Sequence, residues 1–250
     1  MEKDKNIKEP EETGELTEQE LLKEVTEHRN YILKNLPEKV SPGEVSRISK
    51  TTLKAHVARA VLLHRADELT KTALDLYRQR KLVSCLVIVR AAFETAALLY
   101  YVFKKLRDAI QTKKVDNIDE TLMKVLFGQK RNGTEVQAIN IPTSIDHLDK
   151  ETRIDGNSCV RYLYDELCEF THPNWNGTAG YYAHMDADSF FTTFDQEPKE
   201  IFSNDAILLP LNAVLMITEE YDKELKKILP EFTNLHEESC KEKDVNRETP

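Results

Sequence analysis

Residues 82–103, LVSCLVIVRAAFETAALLYYVF, restrict what this chain can fold into more than any other stretch. The run has neither Gly nor Pro, and Arg90 and Glu94 are its only charges between Lys81 and Lys104. At twenty-two residues it is too long for one strand, and its Ala, Leu and Phe content suits a helix. A helix that is apolar on all sides must be buried on all sides. The expected fold is therefore all-α, a helical bundle around a buried central helix over 82–110. The run would also cross the ~30 Å hydrocarbon core of a bilayer at ~1.5 Å per residue. Two charges near its middle weigh against that, since each costs at least ~2.5 kcal/mol there. No membrane partner is expected.

Arg90 and Glu94 stand at i and i+4, so they share one helix face and can touch. Val83, Ala97 and Tyr101 fall close to the same stripe. Two readings follow. One is a structural ion pair that fixes helix register, where desolvation offsets much of the attraction. The other is a site, because a buried Arg calls for a carboxylate, a phosphate or another polar ligand.

Composition supports the helical reading. The chain has 250 residues but only seven glycines, and all seven fall in stretches that read as loop or tail. This disfavours glycine-rich nucleotide folds. The net charge of −9 is concentrated at the ends: residues 1–20 carry −5 and residues 231–250 carry −3. Such polar, acidic ends are expected to be disordered, leaving a single helical domain over 16–230 between segments 1–15 and 231–250. The four cysteines form no CxxC, and the N-terminus is charged without an apolar core segment. A reducing, cytoplasmic setting with free thiols is expected.

Along the chain, Thr17 with Glu20 is a capping box that opens a helix to Leu36, with Leu21, Val25, Tyr31 and Leu33 on its apolar face. Ser41-Pro42 opens a second helix that should run to Arg80. Its segment Arg47–Lys81 has nine Lys or Arg against three acids, either a solvated face or a surface for phosphate or an acidic partner. Short helices are expected over 116–127 and 143–150, the latter capped by Thr143, with an irregular loop over 129–141. Asn157 or Ser158 caps the next helix, which Pro173 ends after His172. Residues 179–194 read as a small β-hairpin. A last helix is expected from Asp205 to Leu229, stopped by Pro230.

The usual chemical motifs are absent: there is no GxSxG, Walker loop, GxGxxG or HExxH. No cofactor and no metal are expected. What remains is Arg90-Ala-Ala-Phe-Glu94 on the apolar helix, followed by Tyr164-Asp-Glu-Leu-Cys-Glu-Phe-Thr-His-Pro-Asn174. Together they resemble a group of bacterial all-helical proteins of unassigned activity, distantly similar to HEPN domains. The resemblance covers residues 50–229. It implies a helical bundle, often dimeric, that either binds a partner or cleaves RNA without metal. The ribonuclease pattern in such domains is Arg, four to six residues, then His. Its literal match here is Arg59-Ala-Val-Leu-Leu-His64, in mid-helix, while Arg161 lies eleven residues before His172.

The leading expectation is thus a module that binds a small polar or anionic ligand, RNA or a protein partner. Arg90, Glu94, Tyr101, His172 and Asn174 form its candidate site: Arg90 would meet an anion, Glu94 would orient Arg90, and His172 would close the site. In the ribonuclease alternative His172 is the acid/base and Arg90 and Glu94 complete the catalytic set. A third expectation is a structural interaction protein that uses the basic helix. A homodimer is compatible with each.

Overall fold

The computed structural model describes residues 16–131, 133–153, 156, 159–194 and 205–248. Among these residues nine helices surround one core: α1 (Glu18–Asn35), α2 (Pro42–Val45), α3 (Lys50–Arg78), α4 (Leu82–Thr112), α5 (Ile118–Phe127), α6 (Ile141–Glu151), α7 (Cys159–Thr171), α8 (Ala179–Tyr182) and α9 (Asp205–Glu248). Between α8 and α9 lies a two-stranded antiparallel hairpin, β1 (Ala183–Met185) and β2 (Thr192–Phe194). The all-α bundle with one small hairpin is as the sequence predicts, except that the first turn of the expected hairpin, Ala179–Tyr182, is helical.

α4 is the centre, packed against α3, α5, α6, α7 and α9. Leu86, Val89, Ala92, Phe93, Ala96 and Leu99 are each within 1% of full burial, which is how an apolar helix is accommodated in water. Burial is not complete on every side: Ser84 and Val87 face solvent, and Arg90 and Glu94 are half-buried. Among the described residues α4 is the helix long and apolar enough to cross a membrane, and the bundle buries 56% of its most apolar stretch. Its apolar surface is largely used as core.

Helix boundaries follow local capping chemistry. In α1, the Thr17 hydroxyl accepts the Glu20 amide and Glu20 accepts the Thr17 amide at 2.8 Å, the expected capping box. Leu21, Val25 and Ile32 form its buried face, whereas Leu33, expected inside, is exposed. The helix expected from Pro42 to Arg80 is broken in two. The Ser46 hydroxyl accepts the amides of Ile48 and Ser49, and the Ser49 hydroxyl then accepts the amide of Thr52 at 3.0 Å as the N-cap of α3. Serine side chains compete with the helix for these donors, so the chain turns there. Asn140 rather than Thr143 caps α6. The expected cap at Asn157 or Ser158 lies outside the described residues.

Pro230 does not stop α9, which continues to Glu248. Proline deletes one backbone donor and crowds the preceding turn, but tertiary contacts beyond it hold the helix. Phe232 is fully buried, the Ser46 hydroxyl donates to Glu237 at 2.6 Å, and Ser49 bonds the His236 ring at 3.0 Å. Residues 231–248, expected as part of a disordered tail, thus extend the last helix.

At the junction of α1, α3 and α9 lies Asp222, with no exposed surface. Its carboxylate accepts from Arg59 Nε at 2.6 Å and from the Tyr31 hydroxyl at 2.9 Å, and it pairs with Lys226 Nζ at 3.0 Å. Arg59 also donates to the Asn35 carbonyl at 3.3 Å, tying down the end of α1. Removing one partner of such a group strands a buried charge, at a cost of about 3–5 kcal/mol. Arg59→Met should lose that much in urea denaturation, and the double variant Arg59→Met/Asp222→Leu should regain part of it. An unchanged midpoint for Arg59→Met would show that the pair does not organise the junction.

A second tie, between α4 and α6, should be visible in the pH dependence of stability. Arg107 grips Glu151 with two hydrogen bonds, at 2.7 and 3.3 Å, and these hold the Glu151 carboxyl below the usual carboxylate range. A folded pKa below the unfolded one stabilises above the unfolded value of about 4.3, and this contribution disappears as pH falls through the folded value. The difference in Tm between the wild type and Arg107→Gln should therefore be constant from pH 7 to 5 and shrink below about pH 4.

Candidate functional site

The RxxxE pair faces α7 as well as its own helix. Arg90 Nη2 lies 3.4 Å from the Glu94 carboxylate and 3.4 Å from the Tyr164 hydroxyl, and that hydroxyl donates to Glu94 at 3.1 Å. The three groups form a closed triangle. The Tyr164 ring also meets two guanidinium groups, Arg90 at 5.6 Å and Arg161 at 5.9 Å from its centroid, and packs on Phe93 with ring centroids 6.3 Å apart. Cation–π contacts of this kind add to the hydrogen bonds. Burial pushes the Tyr164 hydroxyl above its ordinary range, so it stays protonated and able to donate. Burial works against the Arg90 charge, but the Tyr164 hydroxyl, Cys168 and Glu94 outweigh it and raise its pKa. Arg90 Nε is buried and has no hydrogen-bond partner among the described residues.

The other expected site residues are not joined to this triangle by any hydrogen bond or ion pair. His172 follows α7 eight residues after Tyr164, about 12 Å further along that helix, and its side chain is exposed. Its backbone turns the chain, with its carbonyl accepting the Asn174 amide at 2.8 Å. Asn174 is a turn residue: its amide donates to Glu169 at 2.7 Å, and its side-chain oxygen accepts the Gly177 amide at 3.3 Å. Tyr101 lies seven residues past Glu94 on α4, with Lys105 5.3 Å from its ring centroid. It lines a separate cleft with Lys124, Asn140 and Ser144.

The literal Arg–four–His match also comes apart. Arg59 points inward to Asp222, while exposed His64 meets the Pro37 carbonyl at 3.0 Å. The basic side of α3 is partly neutralised within the molecule, Lys54 by Asp119 at 2.6 Å and Lys71 and Arg78 by Asp75 at 3.4 Å each. Cys85, deep in α4, donates to the Ala73 carbonyl, and burial pushes its thiol up to about 12, so it is a core residue and not a nucleophile.

The feature that sequence reasoning passed over lies just beyond α7. A tight turn reverses the chain there, and Gly177 is needed because a Cβ would lie 2.4 Å from the His172 carbonyl oxygen. The turn presents Trp175, 71% exposed. The hairpin beside it exposes Met185 (69%), Phe190 (78%), Phe191 (76%) and Phe194 (75%). Its register pairs Ala183 with Phe194 and Met185 with Thr192, and cross-strand partners project from the same face. Ala183, Met185 and Thr192 line a cleft of about 480 Å³ whose other wall is Trp175. The tip is held by Asp186, whose carboxylate accepts the amides of Asp188 and Ser189 at 2.9 and 2.7 Å. The same carboxylate is therefore committed to the turn. The aromatic content of 179–194 is the available signal, and in sequence it predicts strands rather than an exposed surface.

A second apolar cleft, of about 430 Å³, lies between α7 and α9, lined by Val160, Leu163, Ala213 and Met216. Three ionisable residues of its rim pair with one another: Glu219 meets His28 at 2.7 Å and Lys223 at 2.5 Å. Neither cleft is lined by Arg90, Glu94 or His172. Compared with known proteins, the chain matches no family model, no curated protein and no solved structure.

The geometry makes Arg90–Glu94–Tyr164 a clamp that fixes α7, and with it the turn, on α4. Tyr164→Phe keeps the ring and removes the hydroxyl, so it should cost about 0.5–1.5 kcal/mol in urea denaturation. No loss would mean that the hydroxyl is not part of a clamp.

Proposed function

We propose that the protein is a non-catalytic, HEPN-like binding module of a bacterial cytoplasm that docks a protein partner through the turn and hairpin following α7. The exposed aromatic group carries this reading. Isolated apolar residues are common on protein surfaces, but Trp175 and Met185 lining one cleft, with Phe190, Phe191 and Phe194 exposed on the same short hairpin, are the kind of concentration that marks an interaction site. Trp and other aromatics dominate binding energy at such surfaces. The clamp at Arg90 supplies a rigid support for this end.

Charge argues against nucleic acid at this end. Residues 162–194 contain five acids and no Lys or Arg, whereas phosphate backbones are held by cations. A ribonuclease would need Arg and His aimed at one phosphate, yet Arg90 is engaged by Glu94 and Tyr164, and His172 makes no hydrogen bond to either.

Two measurements on the full chain test the proposal. Phe190→Ser/Phe191→Ser should leave Tm within about 2 °C of wild type, as surface substitutions do, and should lower binding of a hydrophobic dye severalfold. A Tm loss of more than about 8 °C, the scale of a core defect, would make these residues core and end the docking reading. RNA incubated with the protein in excess EDTA should remain intact. Cleavage that disappears in His172→Ala would overturn the non-catalytic reading.

A further inference from the structure

We infer that the apolar cleft between α7 and α9 is a binding site for a small organic amine, whose aromatic or aliphatic body lies against Val160, Leu163, Ala213 and Met216 and whose ammonium group is held at the Glu220–Tyr221 end. The site is separate from the hairpin and stands independently of the docking reading.

The cleft exists because α7 and α9 both pack on α4 but scarcely on each other. The space between them measures about 430 Å³, within the ~300–1,000 Å³ of small-molecule sites. Its α9 wall is a helical stripe, Ala213, Met216, Ile217, Glu220 and Tyr221, about 12 Å long at ~1.5 Å per residue. Opposite it, α7 supplies Cys159, Val160 and Leu163, which make a single turn. A docked amphipathic helix engages anchors spread over two turns, so a wall of one turn suits a small molecule.

Tyr221 gives this space a polar anchor. It is 7% exposed, and its ring is fixed against Tyr100 and Phe103 at centroid distances of 4.9 and 5.3 Å. It lines the cleft, yet its hydroxyl makes no hydrogen bond among the described residues. A buried phenol ordinarily has a partner for its hydroxyl. An oriented, unpaired hydroxyl in an otherwise apolar cleft is the kind of group that fixes a ligand in place.

Charge selects the head group of that ligand. Glu219 is taken by His28 and Lys223, whereas Glu220 on the same rim is exposed and makes no ion pair or hydrogen bond among the described residues. Lys227, further along α9, is engaged by Glu224. Burial, and then the fields of Glu151, Glu220 and Glu224 against that of Arg107, push the Tyr221 hydroxyl up to about 12. It therefore stays protonated in net negative surroundings, which attract a cation and repel a carboxylate. The positive end of α7 does not reverse this sign, because the buried Asp149 carboxylate accepts the Arg161 amide there at 2.9 Å.

Isothermal titration calorimetry of the full chain with phenylbutylamine and with phenylbutyrate tests the inference, since the two probes share a body and differ in the sign of the head. The amine should bind saturably at one site, at least about tenfold tighter than the carboxylate. Glu220→Gln should erase that preference. Tyr221→Phe should weaken the amine severalfold and leave Tm within about 2 °C of wild type, because the hydroxyl has no partner inside the protein to lose. Ala213→Leu, which fills the cleft, should abolish binding at an unchanged or higher Tm. If Ala213→Leu does not fold, the charge preference and its loss in Glu220→Gln decide. The inference is overturned by an amine that does not bind saturably, by a carboxylate that binds as tightly, or by binding that survives Ala213→Leu. Binding removed by Phe190→Ser/Phe191→Ser would belong to the hairpin and overturns it as well.

Discussion

A carboxylate that never meets water holds three helices of this protein in register. Asp222 is fully buried, and its two oxygens are met by Arg59 from α3, Tyr31 from α1 and Lys226 from its own helix. A buried charge is tolerated only when it is paired and its hydrogen-bonding capacity is satisfied. Each of α1, α3 and α9 could slide along an apolar core at modest cost, because apolar contacts are non-directional. The Asp222 cluster removes that freedom: a shift of one turn in any of the three helices would separate it. The apolar helix α4 supplies most of the driving force for burial, and the polar junction specifies how the surrounding helices meet it.

The Arg90–Glu94–Tyr164 triangle performs the same task between α4 and α7. It is less buried, and its net contribution to stability is correspondingly modest. Its value is directional. Tyr164 is held by two guanidinium groups and two hydrogen bonds, so α7 cannot rotate about its axis. The turn at His172–Gly177 begins where α7 ends, and Gly177 packs directly on the His172 carbonyl. Trp175 and the hairpin therefore project from a fixed base rather than from a loose loop. A binding surface gains affinity when its anchors are already ordered, because less freedom is lost on association.

Much of the fold was legible in the sequence because helices announce themselves by local signals. The α4 run, the Thr17 capping box, the scarcity of glycine and the turn residues around Pro173 all act within a few positions of where they stand. The errors came where distant residues decide. Pro230 is a local stop signal overruled by the burial of Phe232 and by Ser46 and Ser49 reaching across to α9. The break near Ser46 is likewise a contest between a helix-compatible segment and serine hydroxyls. The candidate site was legible only in part. Arg90 and Glu94 do meet, but the group that completes them is Tyr164, seventy residues further on, and no spacing rule connects it to them. Asp222 left a readable trace: it shares the helical stripe of Leu211, Leu215, Thr218, Leu225 and Leu229, where a carboxylate demands a buried cation.

The hardest feature to read in advance was an exposed one. Phe, Trp and Met raise the expectation of a core wherever they occur, and a sequence carries no mark that distinguishes an aromatic turned inward from one turned out. Packing decides it. The hairpin is too short to shield its own rings, since a three-residue strand offers one or two side chains per face and no third strand or helix covers β2 among the described residues. Leaving these rings in water forgoes about 25 cal/mol for every Å² they could bury. Nothing in the folding of the bundle requires that loss, because α4 and its neighbours are already closed around a continuous core. The bundle buries Phe93, Tyr100, Phe103 and Phe232 and leaves Trp175, Phe190, Phe191 and Phe194 outside, so the hairpin end is where association has the most apolar surface to gain.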